Sequence, residues 1–361
     1  MTPFQIGILG VVILVVLLAL RVPAGVSLII AAAVGGSLLT SPGMALTELG
    51  ADIMRIASHY GLSVIPFFIL TCVLLQCQGS VLPPVLALIM FAFLSGGSIG
   101  RVLIAGVLPG IIAVILLGLA VLIVRKFPHH PAPGRDSEVV LFRWGPLRDH
   151  LFIAVVFSAC AGAIFEGVLN PTEAGALCAF VSTLFLAISR RMTAKNFLEA
   201  LLRSVSSAAG IFVMIAGGSL FGAFLTRSLV SITLIRFVTG INVQPFLFIG
   251  LFLLIYVIAG MIMEYKAALA VVTPVLFPIA VDLGYSGVLF SVLAVMALMF
   301  GVLYKHRAKR RAEEATDLKP RVGWLLHSVL PLWAALLIVC IVTAVYPSVA
   351  VLLPRMMLST P

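Results

Sequence analysis

Two apolar stretches of the chain are joined by the sequence Phe165-Glu166-Gly167-Val168-Leu169-Asn170-Pro171-Thr172-Glu173-Ala174. Asn170 is a favoured residue type at a helix N-cap, Pro171 suits the first helical position, and Glu173 stands three residues after the cap, as in a capping box. Because Pro171 also disfavours helical geometry at Asn170, we predict that one helix ends before this point and that another begins at Pro171.

The composition around this break is that of a membrane protein. Of the 361 residues, 62% are hydrophobic and only 10% are charged, whereas soluble domains carry roughly 25% charged residues. A soluble globule must cover its surface with polar groups, so it has no place for this excess of apolar residues. At ~20 residues per crossing, the chain has room for about ten apolar segments. We therefore predict an all-α polytopic membrane protein.

Inside a membrane, a helix that begins between apolar stretches has two interpretations. Its free N–H groups and positive dipole end can bind an anionic substrate group or line a water-filled cavity. Alternatively, Glu173 serves only as a helix cap. The sequence alone leaves both readings open, and it makes Asn170, Thr172 and Glu173 candidate site residues.

The positive charge predicts the topology. Of the 23 Lys and Arg residues, 16 fall in three polar stretches, with five in 125–148, four in 190–203 and seven in 305–321. Basic residues concentrate in cytoplasmic loops, so the formal charge of +10 indicates orientation and not a nucleic-acid partner. If all three stretches face the cytoplasm, the residues flanking Asn170-Pro171 form a hairpin.

This reading divides the chain into five parts. We predict a first membrane repeat at 1–124, a polar cytoplasmic loop at 125–149, a second membrane repeat at 150–304, a basic cytoplasmic loop at 305–322 and a C-terminal transmembrane segment at 323–361. The halves resemble each other in layout, which indicates two inverted repeats with broken or re-entrant helices. Val64–Leu75 and Val85–Leu94, each too short to span, fit that pattern.

Further candidate residues lie in the second half. Glu264 is an ionisable residue near an apolar stretch, where charges usually face a cavity or a partner. Glu264 and Lys266 are two apart and cannot pair along one helix face. They can pair if the segment is unwound, or each can reach another helix; the plainer reading is an interfacial turn that ends the span before it. Thr273 and Pro274, with Pro278, lie in an apolar helix whose freed carbonyls can coordinate a cation, unless the prolines merely kink it. No phosphate-binding loop, HExxH motif or nucleophile elbow is present, so we predict no enzyme and no cofactor.

Several motifs resemble one family in the same order along the chain. The run from Gly162 to Ala176 resembles the G-I-F-T-P-T-E-A-A-A signature of the large membrane subunit of TRAP transporters, the DctM-type permease. Further matching stretches are Arg21–Gly25, Pro66–Leu70, Val81–Pro84, Ser98–Arg101, Ala105–Gly110, Gly260–Pro278 and Gly323–Pro354.

The resemblance implies a fold and a function. It implies an ion-transporter-superfamily-like architecture of two inverted repeats, each with a re-entrant hairpin. It also implies sodium-driven uptake of organic anions such as C4-dicarboxylates across the bacterial inner membrane, with a periplasmic solute-binding protein and a small membrane subunit as partners. The residues expected near the substrate or ion are Pro83, Pro84, Asn170, Thr172, Glu173, Glu264, Thr273 and Pro274.

The chain also departs from the family pattern. Only Leu75 to Gly79 stand where the family carries several dozen residues, including the tip of the first hairpin. Glu264-Tyr265-Lys266 replaces an Asp-Pro-Thr-like triplet, Ala297 replaces a usual Asn, and Tyr304-Lys305-His306 replaces the Thr-Pro-Pro of the second hairpin tip. These departures support an alternative hypothesis, a non-transporting paralogue that acts as a membrane scaffold or partner-binding subunit.

Overall fold

The computed structural model of the chain describes residues 1–74, 84–126, 144–190, 192–240, 245–314 and 322–357, and every regular element within these ranges is helical. The helices are α1 (Pro3–Ala19), α2 (Ala24–Leu39), α3 (Pro42–Ala57), α4 (Val64–Leu74), α5 (Pro84–Leu94), α6 (Ile99–Ala105), α7 (Val107–Lys126), α8 (Trp144–Phe165), α9 (Pro171–Ile188), α10 (Ala194–Arg227), α11 (Val230–Gly240), α12 (Pro245–Ile262), α13 (Tyr265–Asp282), α14 (Gly287–Glu314), α15 (Val322–Val345) and α16 (Ser348–Met356), with a 3₁₀ turn at Tyr60–Ser63.

The lengths and apolar character of these helices confirm a polytopic membrane protein. Within the described residues, five segments are long and apolar enough to cross a bilayer, and two bent helix pairs raise that number to seven. The bent pairs are α3 with the 3₁₀ turn and α4, at 55°, and α15 with α16, at 60°. Six further apolar helices in the described residues are shorter, at 10–17 residues. The repeat relationship between the two halves stays a prediction.

Local sequence sets several helix starts. The Thr2 hydroxyl accepts a hydrogen bond from the Gln5 N–H, and the Gln5 side chain accepts one from the Thr2 N–H, which closes a capping box before α1. Ser41 caps α3 in a similar way, and Pro42 takes its first position. A hydroxyl cap followed by proline suits the N-terminal ends of both α1 and α3. Proline has no N–H, and an N–H at the first helical position would have no partner within the helix.

Glycine permits the closest helix contacts. A methyl group at Gly301 of α14 would lie 2.2 Å from the Val257 carbonyl oxygen of α12, and one at Gly260 would lie 2.6 Å from the Leu298 carbonyl oxygen. Gly217 of α10 meets the backbone of Gly25 of α2 in the same way, at 2.5 Å. Small residues let helix backbones approach in membranes, where apolar burial alone gives little drive for association.

The interior and the outside of the bundle are both apolar. The core between α5, α12, α13 and α14 buries large aromatic side chains, among them Phe91, Tyr256 and Phe290. Val114 and Ile115 of α7, by contrast, leave 71% and 63% of their surface exposed. A soluble protein does not display such a surface over whole helices, so lipid or a partner subunit covers it.

The structure moves one predicted boundary. Residues 305–314, predicted as the start of a basic loop, continue α14 as far as Glu314. Lys, Arg and Glu are good helix formers, so the charged stretch extends the apolar helix instead of ending it. The cytoplasmic location of this stretch and the other domain boundaries stay predictions.

Pro109-Gly110, inside the apolar stretch 102–124, predicts a kink there. The helix is interrupted at one residue, Gly106, between α6 and α7. Helical hydrogen bonds nevertheless run through Gly106, and residues 99–120 form one of the five span-length segments. Pro109 has no N–H to donate to the Ala105 carbonyl, so the interruption lies within one turn of the proline.

Candidate functional site

The start of α9 has the geometry that the sequence predicts. The backbone N–H of Asn170 donates to the Glu173 carboxylate at 2.7 Å, and the Ala174 N–H donates to the Asn170 carbonyl at 2.9 Å. Asn170 has extended backbone angles, so the chain changes direction there. Thr172 is buried, whereas Asn170 and Glu173 are exposed. Glu173 therefore acts as a helix cap, and its carboxylate remains accessible from outside the bundle.

Two other elements approach this helix start. A methyl group placed at Gly100 of α6 would lie 3.5 Å from Pro171 and 3.8 Å from the Met357 side chain, just after α16. The N-terminal end of α9 thus lies in a junction with α6 and α16. The first predicted site is a surface junction of three helices.

Cys160 of α8 and Cys178 of α9 contact each other in the buried interface between the two helices. Their Sγ atoms lie 3.0 Å apart, and both side chains are buried. The Cys160 thiol also approaches the Ala174 carbonyl oxygen at 3.6 Å, within the first turn of α9. These thiols belong to a small apolar cluster with Ile104 and Ile164, so both cysteines act as packing residues.

Thr273 and Pro274 lie in the core of the bundle. The Thr273 Oγ1 is 3.1 Å from the Tyr256 hydroxyl, and both side chains are fully buried. α13 continues as one helix through Pro274 and Pro278. Because Pro274 has no N–H, it donates nothing to the Ala270 carbonyl. That carbonyl oxygen would lie 2.9 Å from a methyl group at Gly218 of α10, so the neighbouring helix backbone covers it.

Glu264 occupies the N-cap position of α13, outside the helix itself. There its carboxylate pairs with the Lys266 ammonium at 2.9 Å, a contact that helical geometry would not allow. The Lys305 ammonium of α14 donates to the Ile262 carbonyl at 3.3 Å. The structure places a shorter turn than predicted between the two helices: it consists of Met263 and Glu264, whereas Tyr265 and Lys266 begin α13.

The structure separates these candidate residues. Ser286, just before α14, and Leu289, in its first turn, lie beside α16. The end of α16 reaches the Asn170 junction. Lys305, further along α14, lies beside the Glu264 turn. Lys305 lies 18 positions after Gly287 in the same helix, which corresponds to about 27 Å along the helix axis. Asn170, Thr172 and Glu173 are therefore grouped at one end of the bundle and Glu264 lies toward the other, with Thr273 in the core.

The remaining predicted site residues are Pro83 and Pro84. Pro83 lies outside the described residues. Pro84 is the first residue of α5, which fits its preference for helix starts. The roles of all eight predicted residues in binding stay predictions.

The sequence reading missed an ion pair between α3 and α10. The Arg227 guanidinium contacts the Glu48 carboxylate across 179 positions of sequence. Both residues line a pocket of about 310 Å³ between α2, α3 and α10, together with Asp52, which pairs with Arg55 at 2.9 Å. The spacing of Glu48, Asp52 and Arg55, at three to four residues, predicts an amphipathic helix, but nothing local indicates a partner in α10.

The described residues contain no group of three or more His, Cys, Asp or Glu side chains able to hold a metal ion. Oxygen atoms from hydroxyls and backbone carbonyls are the ligands that a transported alkali ion would need, and these are not restricted to acidic clusters. The protein is thus defined as an α-helical membrane protein with capped, broken helices and closely packed glycines.

Sequence comparison identifies the family. Residues 76–304, more than half of the chain, match the family model of the tripartite ATP-independent periplasmic transporter, DctM component, and the chain belongs to this family. It is 26% identical to the C4-dicarboxylate TRAP transporter large permease protein DctM of Pseudomonas aeruginosa, with 77% of this chain and 65% of that protein covered. It is 28% identical to the sialic acid TRAP transporter large permease protein SiaM of Vibrio cholerae, with 78% and 65% covered.

A third relative widens the substrate range. The isethionate TRAP transporter permease protein DctMQ of Oleidesulfovibrio alaskensis is 25% identical over 75% of this chain and 43% of its own length. The chain spans just under two thirds of the first two relatives. All three relatives are named as transporters, so a non-enzymatic function fits the family.

Proposed function

We propose that this chain is the large membrane subunit of a TRAP-type secondary transporter for an organic anion, located in the bacterial inner membrane. The family match over residues 76–304 carries the proposal. The three relatives are named for C4-dicarboxylate, sialic acid and isethionate, which share an anionic group. Sodium is the proposed coupling ion, and a periplasmic binding protein and a small membrane subunit are the proposed partners.

The capped start of α9 is the feature best suited to this function. Its N–H groups and dipole favour a negative charge, and the helix begins at a junction that is open at Asn170 and Glu173. Because Glu173 already occupies the cap with a carboxylate, a second anion would bind beside it only with help from a cation. Sodium supplies such a charge, which is consistent with coupling.

A second candidate is a scaffold subunit that binds partners without transporting. It is favoured by the short connection of residues 75–83 between α4 and α5, and by the separation of Glu173, Thr273 and Glu264. Thr273 in particular bonds Tyr256 in a core that Gly218 closes from the α10 side.

Reconstitution separates the two candidates. The chain is placed in liposomes with its small subunit and binding protein, and uptake of radiolabelled C4-dicarboxylates, sialic acid and isethionate is measured with and without an inward sodium gradient. Sodium-dependent uptake of one anion is expected. Stable assembly with both partners but no uptake of any anion would instead favour the scaffold.

A further inference from the structure

A second pocket lies between the α13–α14 turn and the α15–α16 corner, and none of the candidate transport residues lines it. Its volume is about 320 Å³, at the lower end of the range for small-molecule pockets. Polar groups line it from both sides: Tyr285 and Ser286 from the turn, and Ser348 and Arg355 from α16. Leu289 and Leu352 form part of its apolar wall.

Both walls are fixed by backbone hydrogen bonds. α13 ends with Gly284 at φ 87°, and the Tyr285 N–H donates to the Ala280 carbonyl at 3.1 Å, the pattern of a Schellman motif. On the other side, the Val351 N–H donates to the Pro347 carbonyl at 3.0 Å. The pocket is thus formed before any ligand arrives, which lowers the cost of binding.

The charge of the pocket has one sign. Arg355 is the charged member of the lining, and no acidic residue belongs to it. Among the described residues, the side chains of Tyr285, Ser286, Ser348 and Arg355 have no hydrogen-bond or ion-pair partner. The Tyr285 phenol is protonated at neutral pH and can donate a hydrogen bond, and burial raises its pKa further. One guanidinium and three hydroxyls are donors suited to an oxyanion, above all phosphate.

The position of the pocket indicates the source of that oxyanion. The pocket lies at the N-terminal end of α14, and the basic stretch predicted to be cytoplasmic lies at the other end. α16 bends by 60° from α15, as an interfacial helix does. Leu352, half exposed beside Arg355, continues the apolar wall outward. A ligand with a phosphate and an acyl chain fits both parts.

We infer that this pocket binds the phosphate group of a membrane phospholipid in the leaflet opposite the basic loops, with Arg355 as its principal ligand. The lipid would fill the bend between α15 and α16 and tie α16 to the α13–α14 turn. A free organic phosphate shares the chemistry and is the other possible source. This site is independent of the transport function proposed above, so failure of uptake would not affect it.

The test measures lipid retention on the full chain. Wild-type protein is extracted from membranes with its annular lipid and analysed by native mass spectrometry as detergent is increased. Arg355→Gln is expected to reduce the tightly held phospholipid roughly tenfold, the effect of losing one charge-assisted hydrogen bond. Arg355→Lys should retain part of it, and Tyr285→Phe should lose less.

Arg236→Gln is the matched control, because Arg236 is also an exposed helical arginine but does not line the pocket. The elution profile and the thermal midpoint show whether each variant is folded. If Arg355→Gln does not fold, Tyr285→Phe tests the site in its place. In a second arm, inorganic phosphate and glycerol phosphate are added to delipidated protein, and the thermal midpoint is measured.

The outcomes are distinct. Loss of lipid in Arg355→Gln but not in Arg236→Gln supports the lipid as ligand. Equal lipid retention, with stabilisation of wild type but not of Arg355→Gln by glycerol phosphate, supports an oxyanion site that takes a soluble ligand. If Arg355→Gln and Tyr285→Phe match wild type in both arms, the inference is overturned.

Discussion

The hydroxyl groups of Tyr256 and Thr273 lie 3.1 Å apart with no exposed surface on either side chain, and they join α12 to α13. This contact places the Thr273-Pro274 element in the structural core. The hydroxyl of a helical threonine can also donate to the carbonyl four residues earlier. If the Tyr256 hydroxyl is removed, this second bond compensates for part of the loss.

Removing either partner of this bond should destabilise the protein. Tyr256→Phe keeps the ring and deletes the hydroxyl, and we expect a loss of about 1 kcal/mol in the free energy of unfolding in detergent, within the range for hydrogen bonds in membrane helices. Thr273→Val is the matched change on the other helix. The double variant should cost less than the sum of the two single changes, because the partners form one interaction. Full additivity would show that the two groups act independently.

Glycine substitution tests the close backbone contact between α12 and α14. In Gly301→Ala, the new methyl group would meet the Val257 carbonyl at 2.2 Å, so α12 and α14 must separate. We expect a loss of roughly 1–3 kcal/mol, as for overpacked cores. Gly250→Ala is the control, since nothing lies within 4 Å of its new methyl group and alanine favours a helix by about 1 kcal/mol. Thermal unfolding should move in opposite directions for the two variants.

The features predicted from sequence are those whose determining residues lie close together in the chain. Asn170, Pro171 and Glu173 lie within four positions, and each acts on the same helix terminus. The membrane class was similarly accessible, because it depends on composition. The turn at Glu264 was also predicted, although its ion pair with Lys266 required the unwound geometry that only the structure shows.

Features that depend on distant contacts were missed. Glu48 was recognised on a polar helix face, but its partner Arg227 lies in α10, 179 positions away. The basic residues after Lys305 were predicted as a loop, because charge marks the membrane boundary and gives no information on where a helix ends. The Glu48–Arg227 contact follows from no local pattern, whereas the extension of α14 agrees with the helix propensity of Lys, Arg and Glu.

The Glu48–Arg227 pair should contribute little to the free energy of unfolding, but the contact should require opposite charges at the two positions. Both side chains are partly exposed, at 42% and 51%, so the pair stabilises by at most about 1 kcal/mol. Glu48→Arg places two cations together and should lower the thermal midpoint, whereas Glu48→Arg with Arg227→Glu should recover it. The same reversal in the Asp52–Arg55 pair, which lies within α3, is the control, and it should leave the α3–α10 contact intact. Failure of the double reversal to recover would argue against the contact.

The Cys160–Cys178 pair provides a test of the α8–α9 hairpin. With Sγ atoms 3.0 Å apart, a membrane-permeable oxidant such as diamide should take two electrons from the two thiols, release their protons and leave an intramolecular disulfide. Peptide mass spectrometry of membranes treated without unfolding identifies the bond. Cys340 is the internal control, since it packs with Phe300 and Leu336 in another cluster. A Cys160–Cys340 product, or none involving Cys178, would contradict the packing.

Glu173 distinguishes a helix cap from a transport residue. Glu173→Gln keeps an oxygen that can accept the Asn170 N–H but removes the charge, whereas Glu173→Ala removes both. If Glu173 only caps α9, Gln should leave sodium-dependent uptake near the wild-type rate, and Ala should lower the free energy of unfolding by about 1 kcal/mol. If its charge holds the coupling ion, Gln should raise the sodium concentration needed for half-maximal uptake at least tenfold while the thermal midpoint stays unchanged. Glu199→Gln, at an exposed site in α10, is the control, and it should alter neither. We expect the second result, because the exposed carboxylate at the α9 junction would repel an incoming anion unless a cation neutralised it.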